Sequence, residues 1–210
     1  MREADLGFKH QFAPAQSPSL PTLLLLHGTG GDENDLLPLG QALAPGAALL
    51  SPRGKVLENG MPRFFRRLAM GVFDEQDLRF RTRELHEFVR AASDRYGFDL
   101  GNVVAVGYSN GANIAGSMLL LYPEALRAAL LLSPMLPLKP EQMPNLKSVA
   151  VFVAAGRVDP IVAPENTKQL VLLLEQAGAD VTEHWHQGGH ELTHPVVEAA
   201  HQWLSSLLRT

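Results

Sequence analysis

The chain contains no cysteine. That excludes a disulfide-stapled scaffold, a thiolate nucleophile and thiolate metal ligands, and it fits a reducing compartment. There is no excess of basic charge either: 18 Lys and Arg against 22 Asp and Glu leave a net charge of −4 over 210 residues. No electrostatic footprint for nucleic acid or an anionic membrane surface is visible. Long apolar runs are missing as well. Stretches such as Ala128–Leu132 fall far short of the ~20 residues that span a bilayer. The N-terminal "MREADLGFKHQF" has no apolar signal core. These absences lead to the expectation of a cytoplasmic protein with no nucleic-acid partner and no stable membrane insertion.

What is present is ordinary in bulk, 46% apolar and 19% charged, and its length suits one domain over residues 1–210. Short apolar runs bounded by turn residues recur at Thr22–Leu26, Ala47–Leu50, Val103–Val106, Ala128–Leu132 and Val149–Ala154. Most are apolar on consecutive positions, as expected of strands buried on both faces. Val181–His186 is more polar and reads as a strand nearer the sheet edge. Helical patterns fall between them, at Asn34–Leu43, Leu78–Tyr96, Asn110–Leu121, Pro164–Ala177 and Pro195–Leu208. This alternation predicts an α/β fold with a mainly parallel sheet flanked by helices on both faces. No insertion large enough for a cap domain separates the strands around Ser133–Lys147.

Chemistry enters at Gly107-Tyr108-Ser109-Asn110-Gly111. This Gly-x-Ser-x-Gly follows the predicted strand "NVVAV" and precedes the predicted helix "ANIAGSMLLLY", the context of a nucleophile elbow. A sharp strand-to-helix turn brings the positions two before and two after the serine together, where a Cβ would clash. Ser109 is therefore the candidate nucleophile. It needs a base, a group to orient the base, and donors for the oxyanion. The strand "TLLLL" runs into His27-Gly28-Thr29-Gly30, a turn that can aim the Thr29 N–H at the site; the Asn110 N–H is the expected second donor. A dinucleotide loop is excluded here, because the third glycine of its pattern falls at Glu33. His27 reads as a structural, hydrogen-bonded residue.

The orienting acid is expected after the nucleophile and before the histidine. Asp159 follows the strand ending "VFVAAG" and is the candidate; Asp180, the runner-up, enters its strand from the opposite end. His190 follows the strand "VTEHWH" and is the candidate base. It also opens "HELTH", the spacing of a zinc helix at His190, Glu191 and His194. Gly188 and Gly189 stand before it, and Pro195 disfavours a helical His194. The zinc reading is set aside, and no metal or cofactor is expected. His184 and His186 read as the polar face of an edge strand, with Trp185 on the other. Between Gly54 and Asp77 no period is clear, and such length is often functional. Phe64, Phe65 and Phe73 could wall a pocket there, and Arg63, Arg66 and Arg67 could anchor an acidic substrate. Phe65 and Arg66 are the substrate-binding candidates. The rival reading sends the aromatics into the core and leaves the arginines solvated.

Four stretches, "LLLLHGTGGDENDLLPLG", "VVAVGYSNGANIA", "GRVDPIV" and "GGHELT", resemble the α/β-hydrolase superfamily. The likeness is greatest to its small carboxylesterase/phospholipase-like branch, which includes acyl-protein thioesterase relatives. The resemblance implies a serine hydrolase of small acyl esters, thioesters or lysophospholipids, often a homodimer, with Ser109, His190 and Asp159 as nucleophile, base and orienter. Two rival classes are a metal-dependent hydrolase or dioxygenase using the histidines of 184–194, and a silent binding protein on a hydrolase scaffold.

Overall fold

Successive side chains of a strand point to opposite faces, so the run Leu23–Leu26 needs cover on both. In the computed structural model, which describes residues 6–209, it has it. Leu24 and Leu26 join one apolar cluster; Leu23 and Leu25 join the other. Each of the four is fully buried, worth about 1.5–3 kcal/mol per side chain. Residues 1–5, part of the stretch inspected for a signal core, lie outside the described residues.

The elements run β1 (His10–Ala13), β2 (Thr22–Leu26), α1 (Leu37–Leu43), β3 (Ala48–Pro52), β4 (Val56–Glu58), β5 (Met61–Arg63), β6 (Arg67–Ala69), β7 (Val72–Phe73), α2 (Glu75–Tyr96), β8 (Val103–Tyr108), α3 (Asn110–Leu121), β9 (Ala128–Leu132), β10 (Ala150–Gly156), α4 (Pro164–Gln176), β11 (Asp180–His186) and α5 (His194–Leu207). The main sheet has seven strands in the order β1-β3-β2-β8-β9-β10-β11. Only β1 is antiparallel, pairing with β3. Helices α2, α3 and α4 cover one face and α1 and α5 the other, as their buried residues in the two clusters show. This is the α/β-hydrolase arrangement, with no large cap.

The register gathers the strand ends. Leu26 pairs with Gly107, Tyr108 with Leu132, Leu132 with Ala154, and Gly156 with His186. Because these strands are parallel, the residues that follow them all leave at one rim: His27, Ser109, Ser133, Arg157 and Gln187.

Several local features differ from the sequence reading. The edge strand β1 was not predicted; four half-exposed residues carry little periodic signal. Helix α1 starts at Leu37 rather than Asn34, because the Asp32 carboxylate accepts from the Asn34 N–H at 2.8 Å and holds a turn there. The segment after Gly54 is two small hairpins, β4–β5 and β6–β7, whose strands of two or three residues are too short to show a period. Their turns carry the missed signal. Asn59 and Gly60 both have positive φ, 51° and 81°, which is the Asn-Gly hairpin preference.

Helix α2 likewise begins at Glu75, earlier than its apolar period. Asp74 is the N-cap, its carboxylate accepting from the Asp77 N–H at 3.1 Å. Asp74→Ala should lower unfolding stability by about 1 kcal/mol, read as a reduced urea midpoint with an unchanged slope.

Candidate active site

Ser109 connects β8 to α3 with φ 53° and ψ −112°. A non-glycine residue in that region stores about 1–3 kcal/mol of strain, so the surroundings must hold it. The Ser109 N–H donates to the Leu132 carbonyl at 2.9 Å, and its own carbonyl accepts from Asn113 N–H at 3.0 Å. A Cβ on Gly107 would lie 2.5 Å from the Gly111 carbonyl oxygen, and one on Gly111 would run into the Leu26 carbonyl. Three backbone segments therefore meet at the turn with no room for side chains.

His190 sits on the loop between β11 and α5. Its Nε2 lies 2.8 Å from Ser109 Oγ and its Nδ1 2.7 Å from Asp159 Oδ2. The carboxylate accepts a hydrogen bond from Nδ1–H, so in the neutral ring Nε2 is the acceptor for the serine hydroxyl. Asp159, whose side chain is 2% exposed, has its other oxygen occupied: Oδ1 accepts from the Ile161 and Val162 N–H groups at 2.7 and 3.0 Å. The His190 carbonyl accepts from Tyr108 Oη–H at 3.1 Å and from Ser133 Oγ–H at 3.2 Å. Ring and loop are thus both pinned. Sequence reasoning missed Tyr108 and Ser133. Ser133 also has a positive φ of 53°, and its place at the end of the strand beside β8 was the available signal.

A cavity of ≈ 280 Å³ opens over the serine. Ser109, His190, Thr29 and Asn110 line it, together with Tyr108, Asn113, Ser133, Met135, Ile161 and Val162. Among the described residues nothing accepts from the backbone N–H of Thr29 or of Asn110, the latter in the first turn of α3, where amides are free for a ligand. The arrangement can withdraw a proton from a hydroxyl and receive negative charge beside it.

The two substrate-binding candidates are elsewhere. Phe65 is fully buried in the core against the Phe73 ring, 5.0 Å away and edge-on, and does not line the cavity. Arg66 points outward, 62% exposed, and pairs with Asp74 at 2.9 Å and Asp77 at 3.8 Å. The cause is backbone anchoring: Phe64 N–H donates to Asn110 Oδ1 and Arg66 N–H to Asp77 Oδ2, at 2.7 and 2.8 Å. That fixes the direction of each side chain between them. Phe73, Arg63 and Arg67 reach the cavity instead.

Six of the seven other histidines have local partners. His27 is buried; its Nδ1–H donates to the Gly28 carbonyl at 2.7 Å and its Nε2 accepts from Gly54 N–H at 2.9 Å. His194 opens α5 while His190 stays in the loop, so "HELTH" does not share one helix. Trp185 faces Arg157 and Lys168, whereas His184 lies against Phe152. Among the described residues no three His, Cys, Asp or Glu side chains group as a metal site, and no helix is long and apolar enough to cross a membrane. Asp180 opens β11 at the far rim of the sheet.

A strained serine elbow at the carboxyl rim of a parallel sheet, hydrogen-bonded to a loop histidine, defines the chain as an α/β-hydrolase enzyme. It belongs to the phospholipase/carboxylesterase family, whose model matches residues 10–208. It is 48% identical to the putative hydrolase MhqD of Bacillus subtilis over 195 residues, 93% of this chain and 96% of that protein. A Bacillus cereus carboxylesterase of known structure is 54% identical with a TM-score of 0.93, covering 95% of this chain and 94% of its own. The structure of YahD with malic acid is 32% identical with a TM-score of 0.90, over 95% of this chain and 98% of that one. The chain is accordingly an enzyme of the carboxylesterase type.

Acid should destabilise the fold in two stages. Burial holds the His27 pKa below the ordinary 6.5. Below that pH the unfolded chain binds a proton the folded chain refuses, so stability present above pH 6.5 is lost as pH falls. Burial opposes ionisation of Glu33, yet Arg53 and Lys9 hydrogen-bond to it and bring its pKa to about 2. Its contribution is present above the ordinary 4.5 and fades as pH drops toward 2. Melting temperatures measured from pH 8 to 3 should decline below about pH 6.5 and steepen below about 4.5.

Proposed function

We propose that the enzyme cleaves small carboxylic esters through an acyl-enzyme formed on Ser109. His190 takes the hydroxyl proton as Ser109 attacks the acyl carbonyl, and the Thr29 and Asn110 N–H groups receive the oxyanion. His190 then protonates the leaving alcohol, and water, activated by the same imidazole, releases the acid and restores the serine. Asp159 holds the ring and balances its positive charge without itself being protonated. One observation carries this reading above all: the continuous line from Ser109 Oγ through His190 to Asp159, at 2.8 and 2.7 Å, lying beside two amides with no other partner among the described residues.

The cavity supports small or short-chain acyl groups over long ones, since ≈ 280 Å³ is near the lower end of ligand pockets. That YahD is solved with malic acid, a small hydroxy acid, is in keeping with a modest ligand. Thioesters and lysophospholipids are the alternative substrates on the same machinery.

Ser109→Ala should lower turnover of 4-nitrophenyl acetate by several orders of magnitude with an unchanged melting temperature or a slightly higher one. A fluorophosphonate probe should label the wild type and not the variant. Near-normal turnover in the variant would sink the scheme. Across 4-nitrophenyl esters of rising chain length, kcat/KM should peak at the short acyl groups, and acyl thioesters and lysophospholipids tested alongside should trail them.

A further inference from the structure

The two arginines that reach the cavity share one carboxylate. Arg67 Nε donates to Glu58 Oε1 at 2.8 Å, and Arg63 Nη1 lies 3.3 Å from Glu58 Oε2 without hydrogen-bond geometry. Arg63 otherwise donates from Nε to the Phe65 carbonyl and from Nη1 to Thr29 Oγ1, and Arg67 from Nη1 to Met70 Sδ. Among the described residues neither Nη2 has a partner. Asn110 Nδ2, also on a cavity residue, is buried and equally unpartnered. No Asp or Glu is among the cavity-lining residues.

The charges are not those of a solvated surface. The Arg63 side chain is 3% exposed and Arg67's is 22%. A desolvated cation is costly unless a counter-charge completes it, and one carboxylate serves two guanidinium groups here. Burial first, and then the Arg67 charge, lower the Arg63 pKa. What is unused at this wall is mainly a set of donors, which an acceptor group would satisfy; the one unpartnered acceptor beside them is Glu58 Oε2, 3.3 Å from Arg63 Nη1.

On the hydrolase reading above, we propose that the enzyme prefers esters that carry a free carboxylate, held by Arg63 and Arg67 on the hairpin wall of the cavity while Ser109 attacks the ester carbonyl. The planar guanidinium fork matches a carboxylate in a way an ammonium does not. Thr29 links the two functions: its Oγ1 accepts from Arg63 at 2.5 Å, and its N–H faces the oxyanion in the proposed mechanism. An anion seated on Arg63 would thus sit beside the reacting carbonyl, which limits the substrate to a short spacer between carboxylate and ester.

Two matched pairs test this: phenyl butyrate against phenyl hemisuccinate, with the charge on the acyl side, and phenyl acetate against 3-acetoxybenzoate, with the charge on the alcohol side. At least one acidic member should exceed its neutral partner in kcat/KM by about tenfold or more. Arg67→Gln should erase most of that ratio and Arg67→Lys only part of it. The intrinsic reactivity of each ester cancels when variant and wild-type ratios are compared. Arg67 is the variant of choice because Arg63 is buried and its replacement risks the fold. Equal or inferior turnover of both acidic esters, or a ratio untouched by Arg67→Gln, overturns the proposal. If the neutral esters are cleaved by the wild type and spared by Ser109→Ala while acidity brings no gain, the hydrolase reading survives alone. If no ester of either pair is cleaved, both fall.

Discussion

Among the described glycines, the one with least room for a side chain is Gly111, whose Cβ would run into the Leu26 carbonyl, with Gly107 closed against Gly111 from the other side. It locks the end of β2, the end of β8 and the start of α3 into one unit. The positive φ of Ser109 is tolerable only because this unit over-determines it. The same closeness places the Thr29 loop, which continues from β2, beside Ser109. A methyl group at either glycine would therefore disturb Ser109 and the Thr29 loop together, not the packing alone.

From that anchor the parallel register does the rest. Neighbouring strands end level with one another, so loops far apart in sequence emerge on one rim. His190 and Asp159 lie 31 positions apart and His190 and Ser109 lie 81 apart, yet each needs only a short loop to reach its partner. The loops are then stiffened by their own hydrogen bonds: Asp159 by the amides of Ile161 and Val162, and His190 through its carbonyl by Tyr108 and Ser133. The ring is held from its backbone as well as from its nitrogens, which is the preorganisation that the proposed acyl transfer requires.

The two small hairpins between β3 and α2 supply what the sheet cannot, a charged wall. Asn110 joins them to the elbow through the Phe64 N–H, and Asp77 of α2 ties down Arg66. Phe64 and Phe65 are buried, while Arg63 and Arg67, spaced four apart, turn to the cavity. Here the rival sequence reading proved half right. The aromatics at 64 and 65 do enter the core, but two of the three arginines are not solvated.

The order and kind of the main elements are legible in the sequence alone, because strands buried on both faces and amphipathic helices leave strong apolar patterns. So are the serine elbow and the positions of Asp159 and His190 at strand ends, since turn chemistry and chain order are local. The edge strand β1, the polar first turn of α2 and the hairpins are not legible there, since two to four residues cannot establish a period. Which of Arg63, Arg66 and Arg67 face the cavity, and that Phe65 does not, is settled in the folded chain. Those directions depend on hydrogen bonds from the backbone to Asn110 and Asp77, residues 11 to 46 positions away, and no local pattern encodes a contact at that distance.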